Sequence, residues 1–404
     1  MKPRPPLPPA PYLVVGQGLS GRAVAALLDD AIAVETDAEG MQHLDAVRTV
    51  VKSPGIRPSV ELIRAARERG LGVVGELEIA WRLLPNEFIA VTGTNGKTTT
   101  TALLGEIHRA AGIPYAVAGN IGTALSSLVG SVEPDAVVIC ECSSFQLADS
   151  VLFSPECAVL LNVGSDHLDW HGSVAAYREA KERIFANQDA DDLAVVPPGY
   201  AGELRATRIE YEPASASEVR LRGRHNLENA GAARAVARAR GVDEDAIARA
   251  LATFAGVPHR LEEVAVTGGV TWINDSKATN VASTLVALEA VERGAHVILG
   301  GDDAKREDFG QLRDAVAATC RAAYLIGEAA PRLRYALEGA VEVLDCGQLA
   351  AAVEAASGRA REGEVVLLSP ACASYDQFRN FEERGERFRE LVERAAKRRP
   401  GGAA

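Results

Sequence analysis

The segment Thr92-Gly93-Thr94-Asn95-Gly96-Lys97-Thr98-Thr99 follows the apolar run Phe88–Val91 and opens a helix-like stretch. Glycines at Gly93 and Gly96 let backbone N–H groups close on phosphate oxygens, and a helix N-terminus adds its positive dipole. Lys97 is then placed to reach β and γ oxygens, and the Thr98 hydroxyl to ligate Mg²⁺. Val91 stands where such loops usually carry their first glycine, so Gly93 must open the turn. A second glycine turn, Gly16-Gln17-Gly18-Leu19-Ser20-Gly21, has Glu35 at the end of the next strand, the pattern of a dinucleotide site. Taken alone it suggests NAD; any diphosphate sits on such a turn, and so does tight helix–strand packing. Glu141 stands just past the run Ala136–Cys140, at the carboxyl end where open α/β sheets place ligands. His167 follows Ala158–Asn162 in the same way, while Lys181 lies on a helix whose other charges face water.

These residues need elements to hold them, and three blocks supply them. The first reaches about Pro85, with strands at Tyr12–Val15, Ile32–Thr36, Thr49–Lys52 and Gly72–Gly75, and helices at Arg22–Leu28 and Ser59–Arg69. The second has strands Phe88–Thr92, Ala136–Cys140 and Ala158–Asn162, then helices Val174–Asn187, Asn226–Arg240 and Glu244–Thr253, with loop or short strands over Pro197–Glu218. Gly256–Arg260 reads as the next boundary. Five short strands follow, Val270–Ile273, His296–Leu299, Ala323–Ile326, Val341–Leu344 and Val365–Leu368. The alternation is βαβ throughout. It predicts an α/β chain of three domains, residues 1–86, 87–256 and 257–404, the outer two Rossmann-like and the central one a P-loop-type nucleotide domain.

Composition narrows the class. The 404 residues suggest two or three domains at ~150 residues each, and the balance of 47% apolar and 24% charged residues is that of a globular protein. A net charge of −12 leaves no global basic field to hold nucleic acid. Six scattered cysteines suit free thiols in a reducing cytoplasm. The six prolines before Tyr12 leave no apolar core for a signal peptide, and no window reaches the ~18 apolar residues of a spanning helix, so no membrane is expected.

GTNGKTTT, Gly119–Gly122, Glu141–Leu147 (ECSSFQL), Ser165–Asp169 (SDHLD) and Tyr177–Phe185 (YREAKERIF) together resemble the Mur ligases, ATP-dependent amide-forming enzymes of peptidoglycan precursor synthesis. In the third block Pro258–Glu262, Trp272–Asn280, Leu299–Lys305 and Leu367–Gly385 are similar to the branch of that family that adds D-glutamate to UDP-N-acetylmuramoyl-L-alanine. An oxidoreductase built on the first turn would leave GTNGKTT and the whole third block without work.

The resemblance implies a chemistry. ATP phosphorylates a carboxylate, and an amine displaces phosphate from the acyl phosphate through a tetrahedral intermediate, so the site needs cations and metal more than a nucleophile. It implies two Mg²⁺ ions held by Thr98, Glu141, His167 and Lys181, the last carbamoylated by CO₂ so that its cation becomes an oxygen donor. It implies catalytic roles for Lys97, His167, Lys181 and Lys277. ATP would contact Gly93, Thr94, Asn95, Gly96, Lys97, Thr98 and Thr99, with Asn229 on the adenine and Arg260 and Asp275 on ribose and phosphates. Leu19, Ser20, Glu35, Thr36, Ser53, Asn120 and Gln146 would meet the UDP-sugar, the first turn cradling its diphosphate. Thr279, Lys305, Ser374 and Phe381 would hold D-glutamate. A monomer is implied, with the third domain closing on the nucleotide to exclude water.

Overall fold

Short apolar strands joined by amphipathic stretches of a dozen residues or more pair in parallel, with the connecting helices on the sheet faces. The computed structural model of the chain, which describes residues 2–120, 122–164, 166–221, 223–291, 294–304 and 306–398, contains this solution three times. The first sheet has β1 (Tyr12–Val15), β2 (Ala31–Val34), β3 (Thr49–Lys52) and β4 (Gly72–Gly75) in the order β2-β1-β3-β4. The second has β5 (Phe88–Thr92), β6 (Tyr115–Gly119), β7 (Val137–Glu141), β8 (Cys157–Leu160), β9 (Leu193–Val196) and β10 (Thr207–Glu210), ordered β10-β9-β8-β5-β7-β6. The third has β11 (Glu262–Thr267), β12 (Val270–Asn274), β13 (Ala295–Gly300), β14 (Cys320–Ile326), β15 (Glu342–Gly347) and β16 (Val365–Leu368), ordered β11-β12-β16-β13-β14-β15. The α/β class read from the sequence is the class observed.

Strand order decides where ligands can sit. The chain reverses direction across each sheet at β1, at β5 and between β12 and β13, and crevices open at the carboxyl ends of strands at such switch points. Both glycine turns follow a switch strand. The helix after the first one opens on Leu19, inside the glycine motif, and runs to Ala25 rather than over Arg22–Leu28. Three strands escaped the periodicity, β6, β9 and β11. β11 pairs antiparallel with β12 through Gly268-Gly269, both with positive φ (57° and 72°), the two-residue turn that Gly-Gly favours.

Contacts divide the chain into two compact units, Met1–Arg220 with His225–Phe254, and Leu221–Arg224 with Ala255–Ala404. The first two sheets share the first unit. Among the described residues, no helix is long and apolar enough to cross a membrane.

A proline strap joins the two sheets of the first unit. Proline has no N–H, so a strap with six prolines offers mainly carbonyls and side chains. Thr49 and Tyr12 donate to the carbonyls of Pro9 (2.7 Å) and Pro8 (2.6 Å), and Arg82 to that of Pro6 (2.5 Å). Arg4 then pairs with Glu156, the residue before β8, at 3.1 Å and lies 4.9 Å from the Trp81 ring centroid. Lys2 reaches Ser154 (3.0 Å) and Asp192. Glu156 is only 12% exposed, so Arg4→Ala leaves a nearly buried carboxylate without its cation. We expect a loss of about 3 kcal/mol, read as a lower urea midpoint with an unchanged m value. An unchanged midpoint would show that the Arg4–Glu156 pair adds nothing to stability.

Candidate functional site

The loop between β5 and the helix Lys97–Ala111 is fixed from several sides. Gly96 caps the helix at φ 86°, a conformation that disfavours any side chain. A Cβ there would come within 2.0 Å of the Asn229 side-chain oxygen, so the buried Asn229 of the helix Arg224–Ala239 lies directly against the loop. Asn162, just past β8, accepts from the N–H of Asn95 at 2.9 Å, and its carbonyl accepts from that of Thr94 at 3.0 Å. The Thr94 hydroxyl takes the N–H of Gly164 (2.9 Å) and the Tyr177 hydroxyl (3.2 Å).

Two lysines meet on this loop. Lys97 donates to the carbonyls of Gly93 (2.8 Å) and Thr94 (3.0 Å), and Lys181 donates to the same Gly93 carbonyl at 2.8 Å. Lys181 is 1% exposed, with its ammonium 4.5 Å from the Tyr177 ring centroid. Burial first, and the Lys97 charge second, push its pKa down to about 7. The other charges of its helix read as water-facing in the sequence; the fold turns Lys181 inward. Tyr177 and Asn162 were missed, since neither residue type at its position announces a role.

Glu141 ends β7 and is 2% exposed, with one carboxylate oxygen accepting from the Asn120 side chain at 3.0 Å. Parallel register sets Val91 beside both Glu141 and Val159, so the ends of β5, β7 and β8 gather the loop, Glu141, Asn120 and Asn162 on one edge. His167 has a positive φ of 52°, unusual outside glycine, and its ring packs 4.8 Å from Phe145. No group of three or more His, Cys, Asp or Glu residues forms a metal cage among the described residues. A Thr98 hydroxyl and the Glu141 carboxylate are nonetheless the hard oxygen donors that Mg²⁺ takes alongside phosphate oxygens. Lys181 as an amine adds no such donor, and as a carbamate it would.

On the first sheet, Leu19, Ser20, Glu35, Thr36 and Ser53 lie at the carboxyl ends of β1, β2 and β3, a second edge of the same kind. Leu19 is 70% exposed. Glu35 accepts the Gln17 N–H at 3.1 Å, and Ser53 donates to the Gly16 carbonyl at 3.0 Å, so they brace the glycine turn. Thr36 forms a capping box with Glu39, and Gln146 one with Ser143, its side-chain oxygen taking the Ser143 N–H at 2.9 Å.

In the second unit, Asp275, Lys277, Thr279 and Ser374 follow β12 and β16, which pair in parallel, and Arg384 draws their loops together. Its guanidinium is fully buried and donates to the Ser276 hydroxyl (2.9 Å) and to the carbonyls of Ser276 (2.8 Å), Cys372 (3.1 Å) and Ala373 (3.2 Å). Ser276 in turn donates to the Phe381 carbonyl at 2.8 Å, and Lys277 lies 5.9 Å from the Phe381 ring centroid. Arg384 went unnoticed in the sequence, where a helical arginine reads as surface. Arg260 sits between two residues of positive φ, His259 (63°) and Leu261 (44°). Lys305 lies outside the described residues.

Asp275 is 4% exposed, accepts from Leu261 N–H (3.1 Å) and Ser369 hydroxyl (2.7 Å), and is pushed up to about 7 mainly by burial. From its ordinary 3.8 to about pH 7, the folded chain keeps a proton that the unfolded chain releases. Stability therefore falls as pH rises through that window, and the loss is complete above it. Asp275→Asn keeps the Leu261 bond on its amide oxygen and reverses the Ser369 contact, its NH2 donating to the hydroxyl, without titrating, so it should gain stability over the parent chain between about pH 5 and pH 8. Urea titrations at the two pH values check this, and a constant difference would refute it.

Residues 91–210 match the Mur ligase middle domain, and residues 259–372 the Mur ligase, glutamate ligase domain. The UDP-N-acetylmuramoylalanine--D-glutamate ligase of Acidobacterium capsulatum is 41% identical over 403 residues, covering 91% of this chain and 87% of that protein. The protein of the same name from Anaeromyxobacter dehalogenans is 42% identical over 393 residues, covering 86% and 84%. Among solved structures, the UDP-N-acetylmuramate-alanine ligase of Thermotoga maritima superposes with a TM-score of 0.60 at 21% identity, covering 95% of this chain and 99% of its own. The Thermotoga maritima MurF ligase in complex with ADP also reaches 0.60, at 17% identity, covering 88% and 92%. With matches of this extent on both halves of the chain, the protein is an enzyme of the Mur ligase family.

Proposed function

We propose that this enzyme joins D-glutamate to UDP-N-acetylmuramoyl-L-alanine, using ATP and releasing ADP and phosphate. The observation that carries the reading is a phosphate loop with two lysines on one carbonyl, in a chain 41% identical to a ligase named for that reaction. The ADP complex of the MurF ligase supports a nucleotide as the partner of such a loop.

In this reading residues 1–86 take the UDP-sugar through Leu19, Ser20, Glu35, Thr36 and Ser53, with Asn120 and Gln146 from the second sheet. Residues 87–256 take ATP on Gly93–Thr99 and Asn229, and residues 257–404 take D-glutamate on Thr279, Lys305, Ser374 and Phe381. Arg260 and Asp275 contribute to the nucleotide. The L-alanine carboxylate attacks the γ-phosphorus of ATP, giving an acyl phosphate and ADP. Lys97 and Lys277 offset charge on the transferring phosphoryl group, the electrostatic term that dominates such transfers. The D-glutamate amine then adds to the acyl carbon, and collapse of the tetrahedral intermediate expels phosphate.

Thr98, Glu141, His167 and Lys181 are the proposed Mg²⁺ ligands, Lys181 after its amine adds to CO₂ with loss of a proton. Bound Mg²⁺ supplies charge neutralisation on the phosphate oxygens. The inward position of Lys181 supports the modification, since burial and the neighbouring Lys97 both disfavour its ammonium.

Phosphate release from ATP tests the reaction. Release is expected only when UDP-N-acetylmuramoyl-L-alanine and D-glutamate are both present, with Mg²⁺ and bicarbonate, and not with L-glutamate or L-alanine as acceptor. Release with another amino acid would overturn the acceptor assignment. Lys181→Ala is expected to lower kcat by about 10³-fold, with part restored by a short carboxylate such as acetate or formate. Full activity without any addition would sink the carbamate.

A further inference from the structure

Lys52 is the last residue of β3, next to Ser53, and its side chain is 0% exposed. A buried ammonium is costly unless paired. Its three neighbours come from three separate stretches of chain. It forms an ion pair with Asp149 at 2.5 Å, donates to the Ile56 carbonyl at 2.7 Å, and lies 5.6 Å from the Trp170 ring centroid.

Each neighbour belongs to a segment with a substrate or metal role in the reading above. Ile56 closes the turn that begins at Ser53, with its N–H on the Ser53 carbonyl at 3.1 Å, and the Ser53 hydroxyl braces Gly16. Asp149 caps the helix Ser144–Ala148, which carries Gln146. Trp170 packs 4.8 Å from Phe145, the ring that also meets His167.

The sheets themselves do not depend on Lys52. Gly75 donates its N–H to the Asp149 carbonyl at 3.2 Å, and Glu78 accepts the N–H groups of Val151, Leu152 and Phe153 at 3.0 to 3.1 Å. Burial lowers the pKa of Lys52 and raises that of Asp149, so both charges are held against desolvation. Apolar side chains would fill the same space with equal or greater stability. What they would not supply is the bond to the Ile56 carbonyl.

Resting on the functional reading above, we infer that Lys52, anchored by Asp149, is a positioning residue for the UDP-sugar. It sets the Ser53–Ile56 turn of the first sheet against the Gln146 helix of the second, so that the diphosphate end and the sugar end of one substrate are held in register.

Lys52→Met and the double variant Lys52→Met/Asp149→Leu test this beside the parent enzyme, with UDP-N-acetylmuramoyl-L-alanine, ATP and D-glutamate varied in turn. The double variant removes both charges, so it retains the fold, as its thermal midpoint will verify. We expect the KM for the UDP-sugar to rise about tenfold or more, while kcat and the KM values for ATP and D-glutamate stay within about twofold. The affinity for UDP alone, read by calorimetry, should weaken alongside. An unchanged UDP-sugar KM in a folded variant, or an equal rise in the KM for ATP, overturns the inference. A parent enzyme that fails to use the UDP-sugar overturns the ligase reading and this inference with it; an active parent with unaltered variants overturns the role of Lys52 alone.

Discussion

The carbonyl oxygen of Gly93 accepts hydrogen bonds from two lysines, Lys97 and Lys181, each at 2.8 Å. Two like charges converging where water is scarce repel strongly, and the repulsion is relieved by an anion at the loop or by a neutral amine. The surrounding architecture serves that convergence. β5 delivers the loop at a switch point, Asn162 clamps its backbone, and Tyr177 holds Thr94 while its ring faces Lys181. Asn229 fills the space a side chain on Gly96 would need. Moving any of these shifts where the two charges meet.

Legibility of the fold tracks how much of the information is local. β5, β16 and the helix Glu244–Thr253 are found at the positions read from the sequence, because each is an apolar or amphipathic run ended by a strong signal. β11 was lost because it opens on two glutamates and is half-exposed along its length, although Gly268-Gly269 marked its turn. β6 ends its sheet and shows the same partial burial. The site divides in the same way. Gly93 to Thr99 form one continuous segment, so their pattern is visible without the fold. Arg384 acts on Ser276, 108 residues away, and Lys181 on Gly93, 88 residues away, so their roles exist only once the chain has folded.

Several residues assigned to substrate from the family pattern also hold the backbone. Thr36 and Gln146 each complete a capping box, Ser53 and Glu35 brace the first glycine turn, and Asp275 bridges Leu261 and Ser369. A side chain held by its own scaffold loses little further freedom when a ligand arrives, the usual route to a pre-organised site. Arg384 extends the idea, since its four protein acceptors are a hydroxyl and carbonyls and its charge stays uncancelled by any carboxylate among them.

The proline strap bears on the order in which the chain can assemble. Lys2 finds Asp192 after 190 positions, and Arg4 finds Glu156 after 152. A ribosome builds from the N-terminus, so β1 to β4 are complete long before these partners exist. Contacts of such sequence separation close late, after the loop entropy between them has been spent. The first sheet must therefore wait, incompletely fastened, until β9 has been translated, and its final docking is coupled in time to the completion of the second.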